Sequence, residues 1–288
     1  MCSSDLSMSS GQGHETTFTS VIADTLGIPH EHVTLRECDP AHELIGNHTG
    51  GSRSMAGVGS VCKIAADKMI EQAKPLAAEE LELEPSQLDY SNGAFRSRDG
   101  DKSIGFVELA KKLAGRHPHP MNTLAEGTVG STWPNGCHIA EVEVDPETGV
   151  TDIASYVAVD DCGVVINHQI VEGQVHGGVM QGAGQMFQEE VVYDRASGQL
   201  LTGSFMDYGM PHAGLVRDIK IGEHLVPSKL NAIGAKGVGE SGCTASLPAI
   251  ANAMTDALRP AGVGQMEMPF TPGRVWQSLQ SAQQKRST

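Results

Sequence analysis

The sequence predicts an α/β fold, and three patterns carry this prediction. A glycine-containing turn opens an amphipathic helix that ends at Gly27. Two segments of alternating apolar and polar residues flank a turn at 146–149, and a second helical rhythm of apolar residues runs over 170–186. Because helices with a period of 3.6 residues and strands with a period of two alternate along the chain, a mixed α/β architecture is expected.

The composition indicates a folded chain whose partner is neither a nucleic acid nor a membrane. The 288 residues fit one large or two ordinary domains, and the hydrophobic content of 39% is enough for a packed core. A formal net charge of −15 argues against nucleic acid and anionic membranes. No apolar run approaches the roughly 20 residues of a membrane span. The six cysteines are scattered, so no zinc or iron–sulfur site is expected, and a cytoplasmic location with reduced thiols is favoured.

The first residues suggest a piece of a longer protein. Met1–Leu6 lead abruptly into Gly11-Gln12-Gly13-His14, a motif that normally follows a strand. We therefore expect residues 1–6 to be a non-native leader; a disordered native terminus is the alternative. The helix that starts here runs to about Leu26. Gln12 and His14 at its mouth can hydrogen-bond a phosphate or a heterocycle, although a plain helix start explains the motif equally well.

Arg53 and Ser54 stand at the start of a long helix and are the next candidates for binding. An arginine beside small hydroxyl groups suits a phosphate or pyrophosphate, and a surface salt bridge is the alternative. The elements expected in this half are a strand at 33–36, a polar loop at 39–51, helices at 61–83 and 104–113, and a hairpin at 85–98 with its turn at Asn92-Gly93.

Acidic residues and a cysteine follow a predicted strand in the second half. Asp160-Asp161-Cys162-Gly163 comes after the strand at 151–160, where α/β folds place binding groups, although a simple strand-ending turn is the alternative. His117, His119 and His138 lack metal-ligand spacing and are interpreted as surface or core residues. The other strands expected here lie at 123–129, 137–145, 190–193, 200–202 and 218–225.

The helix at 170–186 is unusual because it contains five glycines, at 173, 177, 178, 182 and 184. Each glycine costs about 1 kcal/mol relative to alanine in a helix. We therefore expect another helix or a bulky cofactor to approach this helix closely. Gln174 and Gln181 are seven residues apart and share one face.

The run Gly234–Gly242 is the most informative stretch of the chain. Its glycines allow a backbone to approach a ligand, and a helix expected at 249–258 follows it. Glu240 is its single carboxylate, which favours presentation to a ligand; an incidental Glu in a tight turn is the alternative. A last helix is expected near 274–279, with a frayed polar tail at 283–288.

Together these motifs resemble the C-terminal half of the molybdopterin-binding large subunit of the molybdenum hydroxylases. This is the family of xanthine dehydrogenase, aldehyde oxidase and aerobic carbon monoxide dehydrogenase, and the likeness is greatest to the carbon monoxide dehydrogenase-type branch. The residues that carry it are 11–16, 51–54, 160–163, 172–178 and 234–240. The resemblance implies two mixed α/β lobes with the cofactor between them, formed by residues 7–282.

The resemblance also implies a site. The cofactor is a molybdenum–molybdopterin, in its cytosine dinucleotide form, and the family places Glu240 next to the metal as the catalytic residue. No protein side chain is expected to ligate the metal. The residues that match cofactor-binding positions of the family are Gln12, Gly13, His14, Arg53, Ser54, Asp161, Cys162, Gln174, Lys236, Gly237, Val238 and Gly239.

By the same resemblance, the substrate is a small aldehyde, N-heterocycle or similar molecule that is hydroxylated with oxygen from water. Electrons pass to an iron–sulfur small subunit and an FAD-containing medium subunit, in a dimer of heterotrimers. The missing N-terminal part of the large subunit is a further partner. General-base chemistry by a carboxylate such as Glu240 agrees with this reaction.

Two features leave alternatives open. After Glu240 the chain reads Ser241-Gly242-Cys243-Thr244-Ala245-Ser246, which departs from the carbon monoxide enzymes proper. A general hydroxylase of the same branch is therefore at least as well supported as a carbon monoxide dehydrogenase large subunit. The other two hypotheses are a nucleotide-binding or interaction module without redox chemistry, and a catalytically inert fragment.

Overall fold

A computed structural model of the chain describes residues 7–37 and 48–287. The chain forms two compact units, each made of discontinuous segments. The first unit comprises Met1–Trp133, Gly163–Asn167 and Pro227–Gly237, and the second comprises Pro134–Cys162, His168–Val226 and Val238–Thr288. Each unit contains a three-stranded sheet and helices, so the predicted mixed α/β class is confirmed.

In the first unit, helix α1 (His14–Leu26) packs with helix α2 (Ser60–Leu81) on a small antiparallel sheet. Gly27 ends α1 in the left-handed conformation, and its N–H reaches the Ala23 and Asp24 carbonyls. Phe18, Val21, Ile22 and Leu26 give α1 its buried face. The sheet consists of β1 (Leu88–Ser91), β2 (Ala94–Ser97) and β3 (Ser103–Gly105), followed by helix α3 (Phe106–Lys112).

The hairpin turn predicted at Asn92-Gly93 is present and fixes the end of α1. Asn92 and Gly93 have φ angles of 48° and 71°, as a tight hairpin turn requires. A Cβ on Gly93 would lie 2.4 Å from the Gly27 carbonyl oxygen, so the two glycines allow the turn to touch the helix end. The Tyr90 hydroxyl donates to the Leu26 carbonyl at the same place.

In the second unit, two long antiparallel strands and one parallel strand form a sheet. Strand β4 (Asn135–Val144) pairs with β5 (Thr151–Asp161), and β5 pairs in parallel with β6 (Ile219–Glu223). Gly149, at φ 75°, closes the predicted turn between β4 and β5. Helices α4 (His168–Phe187), α5 (Ser241–Leu258) and α6 (Pro272–Ser287) complete the unit. Its separate core includes Tyr156, Val175, Val179, Ile250 and Met254.

Several predicted strands are wrong. Residues 33–36 hold only a bridge at Arg36, and Val33 and Leu35 pack on the first core. Residues 123–129 are irregular, and side-chain bonds attach them to α2: Lys68 donates to the Leu124 carbonyl and Thr123 to Gln72. The strands expected at 190–193 and 200–202 are reduced to one bridge between Tyr193 and Leu200.

Helix boundaries also differ from the predictions. Helix α5 begins at Ser241, eight residues before the predicted start, because Pro248 is accommodated inside it. Helix α6 extends to Ser287, so residues 283–287, which we expected to be frayed, are helical. A π-helical segment, Met55–Gly59, precedes α2. Most of the polar loop predicted at 39–51 lies outside the described residues. No helix in the described ranges is long and apolar enough to span a membrane.

Candidate functional site

The loop before α1 leaves the N-terminus of that helix without a side-chain cap. Gly13 precedes the helix at φ 80°, and Gly11, at φ 101°, has open space where a Cβ would stand. The Gln12 amide folds back on the loop, accepting from the Ser10 N–H and donating to the Met8 carbonyl. Because the first N–H groups of a helix have no partner within the helix, this N-terminus suits an anion.

His14 is buried directly behind this loop. Its Nδ1 donates to the Ser7 carbonyl (2.9 Å), because a carbonyl can only accept, and its ring lies 4.7 Å from that of Phe18. The Glu37 carboxylate accepts from the Ser9 N–H through Oε2. Its buried Oε1 has no hydrogen-bond partner among the described residues, but it lies 3.7 Å from His14 Nδ1, so the histidine ring faces the carboxylate.

The turn before α2 places Arg53 and Ser54 at a second helix start. Gly51 and Ser52 both have left-handed φ angles, 64° and 54°. This conformation is strained for serine, and such strain is frequent at ligand-binding positions. Arg53 is exposed, and its guanidinium contacts the His48 ring at 2.9 Å. The helical turns begin at Ser54, with the Gly57 N–H bonded to the Arg53 carbonyl (2.8 Å).

The first unit brings Gly237 onto this same turn. A Cβ on Gly237 would lie 1.3 Å from the Ser52 carbonyl oxygen, so only glycine fits there. Lys236 stands next to it, and Ala235 forms a bridge with Gly163. Asn231 donates to the Ala235 carbonyl (2.8 Å), while its own Oδ1 is buried without a partner. The Arg53–Ser54 and Lys236–Gly237 candidates are thus neighbours.

In the second unit, Asp161 and Cys162 lie at the end of β5, as predicted. The Asp161 carboxylate accepts from the Val226 N–H (2.9 Å), which fixes the chain after β6 beside the strand end. Burial raises the pKa of the Cys162 thiol to about 11, and the Glu223 carboxylate adds to the effect. Cys162 is therefore a protonated, unreactive thiol at neutral pH.

A buried network behind Asp161 escaped the sequence analysis. The His138 ring contacts the Tyr156 hydroxyl through Nδ1 (2.9 Å) and the Asp160 carboxylate through Nε2 (3.2 Å). Because a carboxylate can only accept, Nε2 carries a proton. His138 pairs with Ala158 across the sheet, between Tyr156 and Asp160 on the same face of β5. These three residues are close only because of the register between β4 and β5, which cannot be read from the sequence.

Glu240 precedes α5, and its side chain is exposed at the positive end of that helix. Gly239 is exposed as well, whereas Val238 contacts the second core and its carbonyl accepts from the Ser241 hydroxyl (3.0 Å). Burial raises the pKa of the nearby Cys243 thiol, and the Glu240 carboxylate adds to this effect. Glu240 is therefore a carboxylate held at a glycine-bounded helix start.

The second unit also brings Gln174 close to this helix start. A Cβ added to Gly242 would lie 2.5 Å from the carbonyl oxygen of Val175, the residue after Gln174. A Cβ added to Gly178 would lie 2.8 Å from the Cys243 backbone nitrogen. These glycines let α4 and α5 cross at close range, as the glycine pattern predicted. Gln174 is partly exposed beside this crossing, and Gly242, which the Val175 carbonyl approaches, is two residues after Glu240.

The candidate segments share a chemistry. Helices α1 and α5 begin at glycine-rich loops without side-chain caps, which favours anionic groups. Asn231 Oδ1 is a buried acceptor without a hydrogen-bond partner among the described residues, which favours a ligand that carries N–H donors. No group of three or more metal-ligating side chains is present in residues 7–37 and 48–287. Each of these features by itself suits an anionic or nitrogen-rich cofactor.

Comparison with known proteins identifies that cofactor. A family model described as the molybdopterin cofactor-binding domain matches residues 7–217. The chain therefore belongs to this cofactor-binding family of the molybdenum hydroxylases, and the resemblance drawn from the sequence is confirmed.

Three relatives illustrate the range of the family. The carbon monoxide dehydrogenase large chain of Hydrogenophaga pseudoflava is 35% identical over 93% of this chain and 34% of its own length. The nicotine 6-hydroxylase large subunit of Paenarthrobacter nicotinovorans is 37% identical over the same shares. The structure of carbon monoxide dehydrogenase from Oligotropha carboxidovorans matches with a TM-score of 0.87 at 33% identity, covering 97% of this chain and 35% of that one. The chain thus spans about a third of the length of these relatives.

Proposed function

We propose that this chain is the cofactor-holding part of a molybdenum hydroxylase large subunit. The proposed reaction hydroxylates a small aldehyde, N-heterocycle or similar substrate with oxygen from water. The observation that carries the proposal is the exposed carboxylate of Glu240, which stands between a glycine-rich loop and the uncapped start of α5 in a chain of this family.

The cofactor would be a molybdenum–molybdopterin in the cytosine dinucleotide form. When bound, it supplies the two-electron redox chemistry of the reaction. Uncapped helix starts and the unpartnered Asn231 Oδ1 support the fit, since the dinucleotide carries phosphates and the pterin carries N–H donors. The residues that would hold it are Gln12, Gly13, His14, Arg53, Ser54, Asp161, Cys162, Gln174, Lys236, Gly237, Val238 and Gly239.

Glu240 would act as the general base. Its carboxylate would accept the proton of the water-derived nucleophile as that oxygen attacks the substrate carbon. The helix start and the packed glycines of α4 and α5 would orient the carboxylate, because they fix the backbone that directly follows it. Orientation of this kind is what a protein contributes in cofactor enzymes.

The partners would be an iron–sulfur small subunit and an FAD-containing medium subunit, which receive the electrons, in a cytoplasmic dimer of heterotrimers. A further N-terminal part of the large subunit would complete the polypeptide, since this chain spans about a third of its relatives. Relatives named for carbon monoxide and for nicotine support two substrate classes. The sequence after Glu240 favours the general hydroxylase, and a carbon monoxide dehydrogenase large subunit is the alternative.

The test is Glu240→Gln in the complete complex. Removing the base should lower turnover by roughly 10²- to 10⁴-fold, while molybdenum and nucleotide content stay at wild-type levels. Glu147→Gln, in the exposed β4–β5 turn, is the matched control and should turn over normally. A Glu240→Gln complex with wild-type turnover would remove Glu240 from the mechanism.

A second candidate function is a nucleotide-binding module without redox chemistry. The uncapped start of α1, with open space at Gly11, favours it because that position alone suits a phosphate. This second function predicts that the chain binds a nucleotide by itself and that the complete assembly contains no molybdenum. It also predicts that Glu240→Gln leaves nucleotide binding unchanged. An inert fragment would likewise be indifferent to Glu240→Gln, but it would bind no nucleotide.

A further inference from the structure

Residues 191–210 form an ordered surface segment with an unusual composition. Its first half is a short hairpin: Tyr193 bridges Leu200, and the Leu201 N–H donates to the Val192 carbonyl (2.8 Å). The Asp194 carboxylate accepts from the Ser197 N–H (2.7 Å) and so closes the turn. The segment is therefore folded, although it forms no regular strand.

The second half of the segment is a turn that presents two large apolar side chains. The Ser204 hydroxyl donates to the Asp207 carboxylate (2.6 Å), and the Tyr208 N–H donates to the Ser204 carbonyl (2.9 Å). Between them, Phe205 is 89% exposed and Met206 is 92% exposed. The Tyr208 hydroxyl donates to Glu189 (2.6 Å), which anchors the turn to the end of α4. Hydrogen bonds thus hold in place a turn whose apolar tip is almost fully exposed in the described part of the chain.

The neighbouring residues extend the apolar character. Between 196 and 216 the only charged residue is Asp207, in a chain whose net charge is −15. Apolar surface of this kind marks an interaction site. The other large hydrophobic residues of the segment that are exposed are Val191, Val192, Tyr193, Leu200, Leu201 and Met210.

We propose that residues 191–210 are a docking surface for the remainder of the large-subunit polypeptide, with Phe205 and Met206 as its anchors. About two thirds of each relative has no counterpart in this chain, whereas the chain itself matches over 93% of its length. The proposed partner is that remainder, which would receive Phe205 and Met206 in an apolar pocket. A second copy is disfavoured because both copies carry a charge of −15 and repel one another. The inference rests on the proposed function only in taking the whole protein to be such a large subunit.

The test is methionine oxidation of the complete complex by hydrogen peroxide, followed by mass spectrometry. Met268 belongs to the same unit, lies outside the segment and is 47% exposed, so it is the internal control. On this chain alone Met206 is the more exposed of the two and should oxidise at least as fast. In the complex, burial in the docking pocket should slow Met206 at least 10-fold relative to Met268. Equal or faster oxidation of Met206 in the complex overturns the proposal, as does protection that this chain acquires by itself at high concentration.

A pair of variants separates docking from folding. Phe205→Ser combined with Met206→Ser should leave the melting temperature of this chain unchanged, because both side chains are exposed, and should lower the yield of assembled complex at least 5-fold. Met268→Ser, the control, should change neither the melting temperature nor the yield of complex. Normal assembly of the double variant overturns the proposal. A complex that lacks molybdenum but protects Met206 would contradict the proposed function and support the docking surface; a molybdenum-containing, active complex with a reactive Met206 would do the reverse.

Discussion

His138 shows how one residue can hold a strand end that carries candidate site residues. Its ring joins the Tyr156 hydroxyl to the Asp160 carboxylate, and all three side chains are buried or nearly so. Gly136 faces Asp160 across the sheet, and a Cβ there would lie 2.3 Å from the carboxylate oxygen. Strand β4 therefore supplies both the space for the Asp160 side chain, at Gly136, and its hydrogen-bond partner, His138. Asp160 directly precedes Asp161 in the sequence.

Replacing His138 with leucine should be strongly destabilising. The Asp160 carboxylate would stay buried without its partner, at a cost of about 3–5 kcal/mol in the free energy of unfolding. Tyr156→Phe removes one hydroxyl and should cost about 1 kcal/mol. Urea denaturation of the two single variants and the double variant measures both values and their coupling. A loss below 1 kcal/mol for His138→Leu would contradict the network.

The buried thiols predict a loss of stability at alkaline pH. Burial raises the pKa of Cys62 to about 12 and that of Cys162, with help from Glu223, to about 11. Unfolded thiols ionise near pH 8.5, so above that pH the unfolded state binds fewer protons than the folded state. Stability is therefore complete below about pH 8.5 and falls as pH rises toward 11.

Above pH 8.5 the free energy of unfolding should fall by up to about 1.4 kcal/mol per pH unit for each buried thiol. Urea denaturation between pH 8 and pH 10.5 measures it. Cys62→Ala should flatten the curve, whereas Cys137→Ala, at an exposed position, should leave the slope unchanged. An unfolding free energy that stays constant up to pH 10.5 would show that these thiols ionise as easily in the folded state.

At the scale of elements, the glycines of α4 have two different explanations. Gly178 and Gly182 face α5, where added Cβ atoms would meet Cys243 N at 2.8 Å and Ser246 Oγ at 1.8 Å. Gly173 and Gly177 have nothing within 4 Å. Of the two expected causes, a second helix or a cofactor, the second helix accounts for Gly178 and Gly182 only, and Gly184 packs against Glu189 and Pro211.

Neighbouring substitutions distinguish the two kinds of glycine. Gly177→Ala should raise the free energy of unfolding by roughly 0.5–1 kcal/mol, because alanine favours the helix and meets no atom. Gly178→Ala should lower it by about 1–3 kcal/mol, because α5 must move away. Thermal or urea denaturation of both variants provides the comparison. Destabilisation by Gly177→Ala would mean that this face of α4 is covered after all.

The elements that the sequence predicted well are those with local causes. The Asn92-Gly93 turn, the Gly27 helix end and the β4–β5 hairpin depend on residues within a few positions of one another. The segments 33–36, 123–129, 190–193 and 200–202 do not form the expected strands, because a strand needs a partner and apolar residues alone do not supply one; Tyr193 and Leu200 form a single bridge. The predicted start of α5 is too late, because the helix continues through Pro248, a residue type that usually ends a helix.

At the scale of the whole molecule, the division into units follows space and not sequence order. The short segments Gly163–Asn167 and Pro227–Gly237 belong to the first unit, although elements of the second unit flank them on both sides. The run 234–240, which the sequence treats as one motif, is split between the units after Gly237. Motif recognition therefore predicted the family and the candidate residues, whereas the unit that holds each residue depends on long-range packing that no local pattern encodes.

This division predicts how the native state opens. The two cores share no residue. The Val164 N–H donates to the Gly234 carbonyl (3.0 Å), so this amide belongs to the first unit although it lies between β5 and α4 in sequence. Ile104→Val in the first core and Ile250→Val in the second are matched substitutions of buried residues, each costing about 0.5–1.5 kcal/mol.

Native-state hydrogen exchange should separate the two variants, because local opening follows cooperative units. Ile104→Val should speed exchange of the Val164 amide roughly 2- to 10-fold, the factor that this energy corresponds to, and leave the Val179 amide in α4 unchanged. Ile250→Val should do the opposite. If Val164 instead responds to Ile250→Val, or if both amides respond equally to each variant, the two units open as one and the segment 163–167 is held by the second core.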